Sequence, residues 1–206
     1  MKQKQALYPV SVRGELTDPP SRGWWLLKWL FAIPHYIILS FLWIAFMVVC
    51  IIAFFAILFT GKYPKGLFNF NTGVLRWTWR VGFYAYSALG TDKYPPFSLG
   101  SDDDYPADLK IEYPEILSRG LVLVKWWLLA IPHYIIVAFL HGGGGRNGGG
   151  LASVLAFFAA IALLFTGKYP EDIFKLVVAM NRWAYRVAAY ASLMTDQYPP
   201  FRLWDD

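Results

Sequence analysis

His35 and His133 each follow a proline, in Ala32-Ile33-Pro34-His35-Tyr36-Ile37-Ile38 and again in Ala130-Ile131-Pro132-His133-Tyr134-Ile135-Ile136. Two imidazoles at matching places could supply paired axial ligands to a haem, or part of a metal site. Apart from the inert Cys50, neither apolar stretch offers the carboxylate or thiolate that a protein-built metal centre would add, so no metal site is expected. Each imidazole is expected instead to satisfy a carbonyl freed at its proline, or to mark a headgroup boundary. Arg76 and Arg80, like Arg182 and Arg186, are four residues apart, with Trp77 and Trp183 beside them. That spacing puts two guanidinium groups on one helical face, able to grip a lipid phosphate or a partner's carboxylates. Pairing within the chain, to Asp92 or Asp196, and interfacial snorkelling are the plainer alternatives.

Other chemistries lack their parts. Gly142-Gly143-Gly144-Gly145-Arg146-Asn147 has no strand before it and no Lys-Ser/Thr after it, so it reads as a loop tip and not as a phosphate cradle. The acids lie in the linker, the strands and the tails, so no carboxylate pair shares a cleft for acid/base work, and no motif supports a Ser-His-acid triad. Cys50, the only cysteine, sits in an apolar run and reads as a small hydrophobe. The basic residues form no run of the kind that tracks nucleic acid, and most border apolar stretches, which favours anionic lipid.

The elements that must position these residues come in two copies. Tyr8-Pro9 returns at Tyr105-Pro106, and Ser21-Arg22-Gly23 at Ser118-Arg119-Gly120. After a one-residue insertion the Ala-Ile-Pro-His-Tyr-Ile-Ile phrase recurs. Leu58-Phe59-Thr60-Gly61-Lys62-Tyr63-Pro64 matches Leu164-Phe165-Thr166-Gly167-Lys168-Tyr169-Pro170, and Thr91-Asp92-Lys93-Tyr94-Pro95-Pro96-Phe97 matches Thr195-Asp196-Gln197-Tyr198-Pro199-Pro200-Phe201. Two modules follow, 8–99 and 105–203, joined by an acidic linker, 100–104. The chain is 57% hydrophobic and only 16% charged, with a net charge of +5, which points to a mainly α membrane protein.

Within a module, Val10 to Leu16 (or Leu109 to Tyr113) alternates apolar and polar residues and predicts a short strand. Trp24 to Thr60 is too long for one ordinary span of about 20 residues. The Gly-rich stretch His141 to Gly150 cuts its counterpart in two, which predicts an apolar helical hairpin of two spans or re-entrant arms, turning near Ser40 to Ile44 in the first copy. A shallow helix up to Pro34 followed by one span is the alternative. Leu67 to Leu89 and Ile173 to Met194 carry a narrow polar stripe, Asn69, Gly73, Arg76, Arg80, Tyr84 and Ser87 in the first copy, and predict amphipathic helices in the membrane interface. At mid-bilayer each arginine would cost roughly 2.5 to 3.5 kcal/mol. With hairpins, every basic residue but Arg146 falls on one side, so both modules are expected to point the same way about an axis along the membrane normal, with both termini cytoplasmic.

The phrases Ala-Ile-Pro-His-Tyr, Leu-Phe-Thr-Gly-Lys-Tyr-Pro, Arg-Trp with a second Arg, and Tyr-Pro-Pro-Phe resemble a bacterial membrane-protein family known as a domain of unknown function, number 4389, here in two tandem copies. The resemblance implies a multi-pass protein of the bacterial cytoplasmic membrane and brings no reaction. The expected function is a non-enzymatic membrane subunit or scaffold that packs against partner membrane proteins, or its own copies, and anionic lipid. A lipid or hydrophobic-ligand carrier using the groove between repeats is second, and a haem-binding electron-transfer subunit third.

Overall fold

The computed structural model describes residues 8–16, 20–142 and 150–204. Arg146 and the rest of 143–149, read above as a loop tip, lie outside the described residues. The chain runs β1 (Val10–Gly14), α1 (Trp25–Thr60), α2 (Lys65–Tyr84), β2 (Ala107–Ile111), α3 (Leu121–Val124), a π-helical turn (Lys125–Leu129), α4 (Ile131–His141), α5 (Leu151–Thr166) and α6 (Glu171–Ala191). It is mainly helical and visibly duplicated.

The first apolar region is one helix of 36 residues and not a hairpin. Nothing at Ser40 to Ile44 breaks it: no Gly or Pro occurs there, and the Ser40 hydroxyl bonds back to the Ile37 carbonyl within the helix. Pro34 is accommodated inside it. In the second copy α4 and α5 together follow the course of α1, since Leu140 of α4 and Ala152 of α5 pack in one cluster with Met180 and Trp183 of α6. A Cβ built on Gly150 would fall on the backbone of His141 and Gly142, so α5 starts close to where α4 stops. Fully buried Ala53 and Ile57 of α1 are answered by fully buried Ala159 and Leu163 of α5, as expected if α3 to α5 together stand for α1. The 16 residues of α5 that look short for a span are the tail of a longer segment.

The one-residue insertion between Lys125 and His133 is absorbed by the π turn, in which the Ala130 N–H donates to the Lys125 carbonyl at 3.0 Å. Widening one turn keeps Lys125 and His133 on the same buried face as Lys28 and His35, where an α-helical continuation would rotate one of them away. Both long segments end in Thr-Gly-Lys. Gly61 and Gly167 adopt φ 71 and donate to the Ile57 and Leu163 carbonyls, the left-handed cap that glycine takes without a Cβ penalty.

Each long segment pairs antiparallel with its module's following helix: Trp43 reaches Thr78, Cys50 reaches Asn71, and Lys28 lies over the Tyr84 ring. The polar stripe on α2 does not face a membrane surface. Trp77 and Val81 pack on Leu39 of α1, Trp79 donates to the Arg13 carbonyl of β1, and Arg76 and Arg80 face β2. Gly73 belongs to that stripe because Leu99 crosses it, 2.7 Å from where a Cβ would stand.

The strands pair with each other in an antiparallel ribbon, Val10 opposite Ile111 through Gly14 opposite Ala107. The second strand thus starts two residues before its predicted position. Val12 faces Leu109, its own repeat equivalent, and Trp79 of α2 meets its equivalent Tyr185 of α6 at 5.6 Å. A pseudo-twofold axis therefore passes through the ribbon and on between α2 and α6.

The modules are not independent bodies. Tyr8 donates to the Gln197 carbonyl, and Tyr105 to the equivalent Lys93 carbonyl, so each module's opening residue ties down the other's closing phrase. The Gly61 carbonyl accepts from Leu117 N–H, and Arg22 lies against Gly167. Each long apolar segment thus ends beside the beginning of the other, and the two run in opposite directions.

Deleting Leu128 should convert the π turn to α-helix and leave stability within about 1 kcal/mol of the parent. Deleting Leu30 from α1 should be far more costly, because Lys28 would leave its buried face; thermal unfolding in detergent compares the two.

Candidate functional site

The charged groups of the apolar layer are engaged inside the chain. Lys28 and Lys125 are fully buried. Lys28 Nζ lies 2.9 Å from Asp92 Oδ1 and donates to the Thr91 carbonyl at 2.7 Å. Lys125 repeats this with Asp196 at 2.7 Å and the Thr195 carbonyl at 3.0 Å. The second carboxylate oxygen accepts from the Ser21 N–H at 2.6 Å, or the Ser118 N–H at 2.5 Å. Two residues before each threonine stands a buried leucine with positive φ, Leu89 at 53 and Leu193 at 68. A left-handed leucine costs about 1–2 kcal/mol; the turn it makes brings carbonyl and carboxylate together at the ammonium.

These lysines carry a role that sequence reading missed, and Asp92 and Asp196 pair with them and not with the arginines. The available signal was Lys28 and Lys125 at equivalent places, each ahead of a Thr-Asp phrase that also repeats.

Arg76 and Arg80, expected at a lipid or partner surface, turn inward. Both reach Asp108 Oδ1 of β2, at 3.0 and 3.2 Å, and Arg80 is fully buried. Arg76 also donates to the Leu109 and Leu99 carbonyls, and Arg80 to that of Gly100. The pair clamps the other module's strand and the linker. Arg182 and Arg186 sit correspondingly against β1 and its approach: Arg182 Nε donates to the Val12 carbonyl at 3.4 Å and Arg186 lies over the Tyr8 ring. Burial holds the Tyr8 and Tyr105 phenols well above their ordinary range, so both hydroxyls stay protonated as donors.

Trp77 and Trp183 are buried too, and donate their indole N–H to Nδ1 of His35 and His133 at 3.0 and 3.1 Å. Each imidazole stacks on the phenylalanine of its own Tyr-Pro-Pro-Phe phrase, at 4.0 Å for Phe97 and 4.3 Å for Phe201. The indole occupies the one lone pair that a neutral imidazole has for an iron, which places the proton on Nε2. The tyrosines of the same phrases bond the same helices: Tyr94 donates to the Phe31 carbonyl and Tyr198 to the Leu129 carbonyl, each three residues before the proline. Among the described residues no group of three His, Cys, Asp or Glu side chains could hold a metal ion.

One apolar groove, of about 560 Å³, lies between α1 and the second module. Phe46, Cys50 and Phe54 line it from α1, Trp126 and Tyr134 from the other long segment, and Ala191 and Leu193 from the end of α6.

Together these features define a duplicated, mainly helical protein whose buried cations hold its own strands and closing phrases. The chain belongs to the family described as Domain of unknown function (DUF4389), whose model matches residues 22–98 and 121–202. No curated protein and no solved structure matches the chain.

Burial by itself raises the Asp92 carboxyl, but the Ser21 hydrogen bonds and the Lys28 ammonium outweigh it and hold the carboxyl below its usual value. Folding therefore favours the ionised form. The stabilisation is complete above the unfolded carboxylate range, about pH 4, and is lost as pH falls through the lower folded value. Asp92→Asn should lower stability at neutral pH by on the order of 3 kcal/mol, leaving Lys28 unpaired, and should weaken the acid dependence; unfolding followed from pH 7 to 3 tests both.

Proposed function

We propose that this chain is a non-enzymatic, membrane-embedded scaffold subunit of the bacterial cytoplasmic membrane, holding anionic lipid and packing against partner membrane proteins or further copies of itself. The observation that carries the reading is the outer face of the long segments. α1 is long and apolar enough to cross a membrane, and most of it is exposed. Large side chains point outward along both copies, including Phe41, Phe59, Ile135, Phe139 and Phe165, the last 78% exposed. An apolar surface of this extent marks a membrane or a partner interface. Exposed Arg22, Lys62, Lys65, Arg119 and Lys168 flank it, and cations beside an apolar face suit anionic headgroups. The arginine pairs are structural in this reading, and lipid contact passes to these flanking residues.

The apolar groove supports a second reading, a carrier for a lipid chain or another hydrophobic ligand.

Purification in mild detergent followed by mass analysis should show stoichiometric partner proteins or a defined homo-oligomer; a lone monomer sinks the scaffold reading. For the carrier, Ala191→Trp should strip co-purified lipid by filling the groove, and unchanged lipid content counts against it.

A further inference from the structure

We infer that the long apolar segments do not cross the bilayer but lie in its plane, so that the protein is immersed in one leaflet with its β-ribbon facing water. This rests on the membrane reading above and specifies its geometry.

Length is the first argument. The outward apolar face of α1 runs from Leu26 to Phe59, about 50 Å at 1.5 Å per residue. A hydrocarbon core is about 30 Å thick. An upright helix would carry some 20 Å of exposed apolar surface out into water, whereas a helix about 10–12 Å across fits within a single leaflet lying down.

Symmetry is the second. The two segments run in opposite directions, and the pseudo-twofold axis relating them passes through the Val12 and Leu109 pair and beside Trp79. Trp79 lies one residue beyond Thr78, which bonds Trp43 near the middle of α1. If α1 stood upright, that axis would lie in the membrane plane and the ribbon would sit at mid-bilayer depth. There Lys110, 65% exposed, would face hydrocarbon with no escape. With the axis along the membrane normal the ribbon faces water, and α2 and α6 separate it from the apolar segments.

Charge is the third. Lys62, Lys65 and Arg119 gather where α1 ends and α3 begins, and Arg22 and Lys168 where α1 begins and α5 ends. Upright helices would split these cations between the two faces, against the usual bias of basic residues to one side. Flat helices keep all of them at one headgroup layer.

The test uses single cysteines in a Cys50→Ala background. Gly23→Cys precedes α1, Gly66→Cys follows it and Gly120→Cys precedes α3; at each an added Cβ meets nothing within 4 Å. Right-side-out and inverted membrane vesicles are treated with a membrane-impermeant maleimide. The expected result is that all three sites react in the same vesicle type and are protected in the other. Reaction of Gly23→Cys from the face opposite to Gly66→Cys and Gly120→Cys overturns the inference while leaving the membrane reading intact. Recovery of the unmodified chain in the soluble fraction after cell lysis overturns both. Should the variants fail to accumulate, oriented circular dichroism of the wild-type chain in aligned bilayers decides the same point: helices in the bilayer plane are expected, and helices along the normal overturn the inference.

Discussion

A cation buried in an apolar layer must have its counter-charge brought to it, and the rest of this structure is arranged around that constraint. Lys28 and Lys125 are fully buried, and an unpaired ammonium there would be far less tolerable than any single packing defect. The carboxylate comes from Asp92 or Asp196, far along the chain, so the closing phrase of each module must return to the first turns of its long helix. The positive-φ leucines at 89 and 193 make that return possible. Once there, the Tyr-Pro-Pro-Phe phrase covers the histidine, bonds the carbonyl three residues before the proline and stacks its phenylalanine on the imidazole. Ion pair, tyrosine hydrogen bond and aromatic slot form one connected unit, present twice.

The arginine clamp extends the same logic across the repeats. Asp108 is buried between Arg76 and Arg80, which also take the carbonyls of Leu99 and Gly100 where the linker begins. A strand held this way cannot move without exposing two guanidinium groups to an apolar interior. Because each strand lies over the other module's final helix, neither repeat completes its polar satisfaction alone. Duplication within one chain supplies what a homodimer of a single repeat would otherwise need to supply. The family match begins after each strand, so the crossing ribbon lies outside the matched segments.

The repeats, the two strands and the final helices were legible because identical phrases and residue periodicity are local signals. His35 and Arg80 were visible as ionisable groups in apolar surroundings, but their partners were not, since Trp77 and Asp108 are distant in sequence and are brought in by tertiary packing. The arginine stripe was assigned to a membrane surface because periodicity reveals a polar face without revealing what covers it. Gly73 marked that cover: a glycine in the middle of a polar stripe signals a backbone crossing close by, here that of Leu99. The Gly-rich stretch misled for another reason. The glycines at 142–150 read as a turn, and that turn was carried onto the first module, whose uninterrupted 36-residue helix contains none.

Dividing an apolar stretch into spans assumes that it stands upright, and that assumption produced the hairpins. Basic residues on a single face argued for an even number of crossings per module, and hairpins satisfied that condition with two. Zero crossings satisfy it equally well. The continuous helix removes the two-span solution, while the antiparallel course of the long segments makes one crossing per module divide the cations and sink the ribbon. On the proposed membrane reading, lying flat therefore keeps the one-sided charge, the long apolar face and the solvated strands together. Excess length, which counts against α1 as a single span, becomes the property that lets it lie along a leaflet.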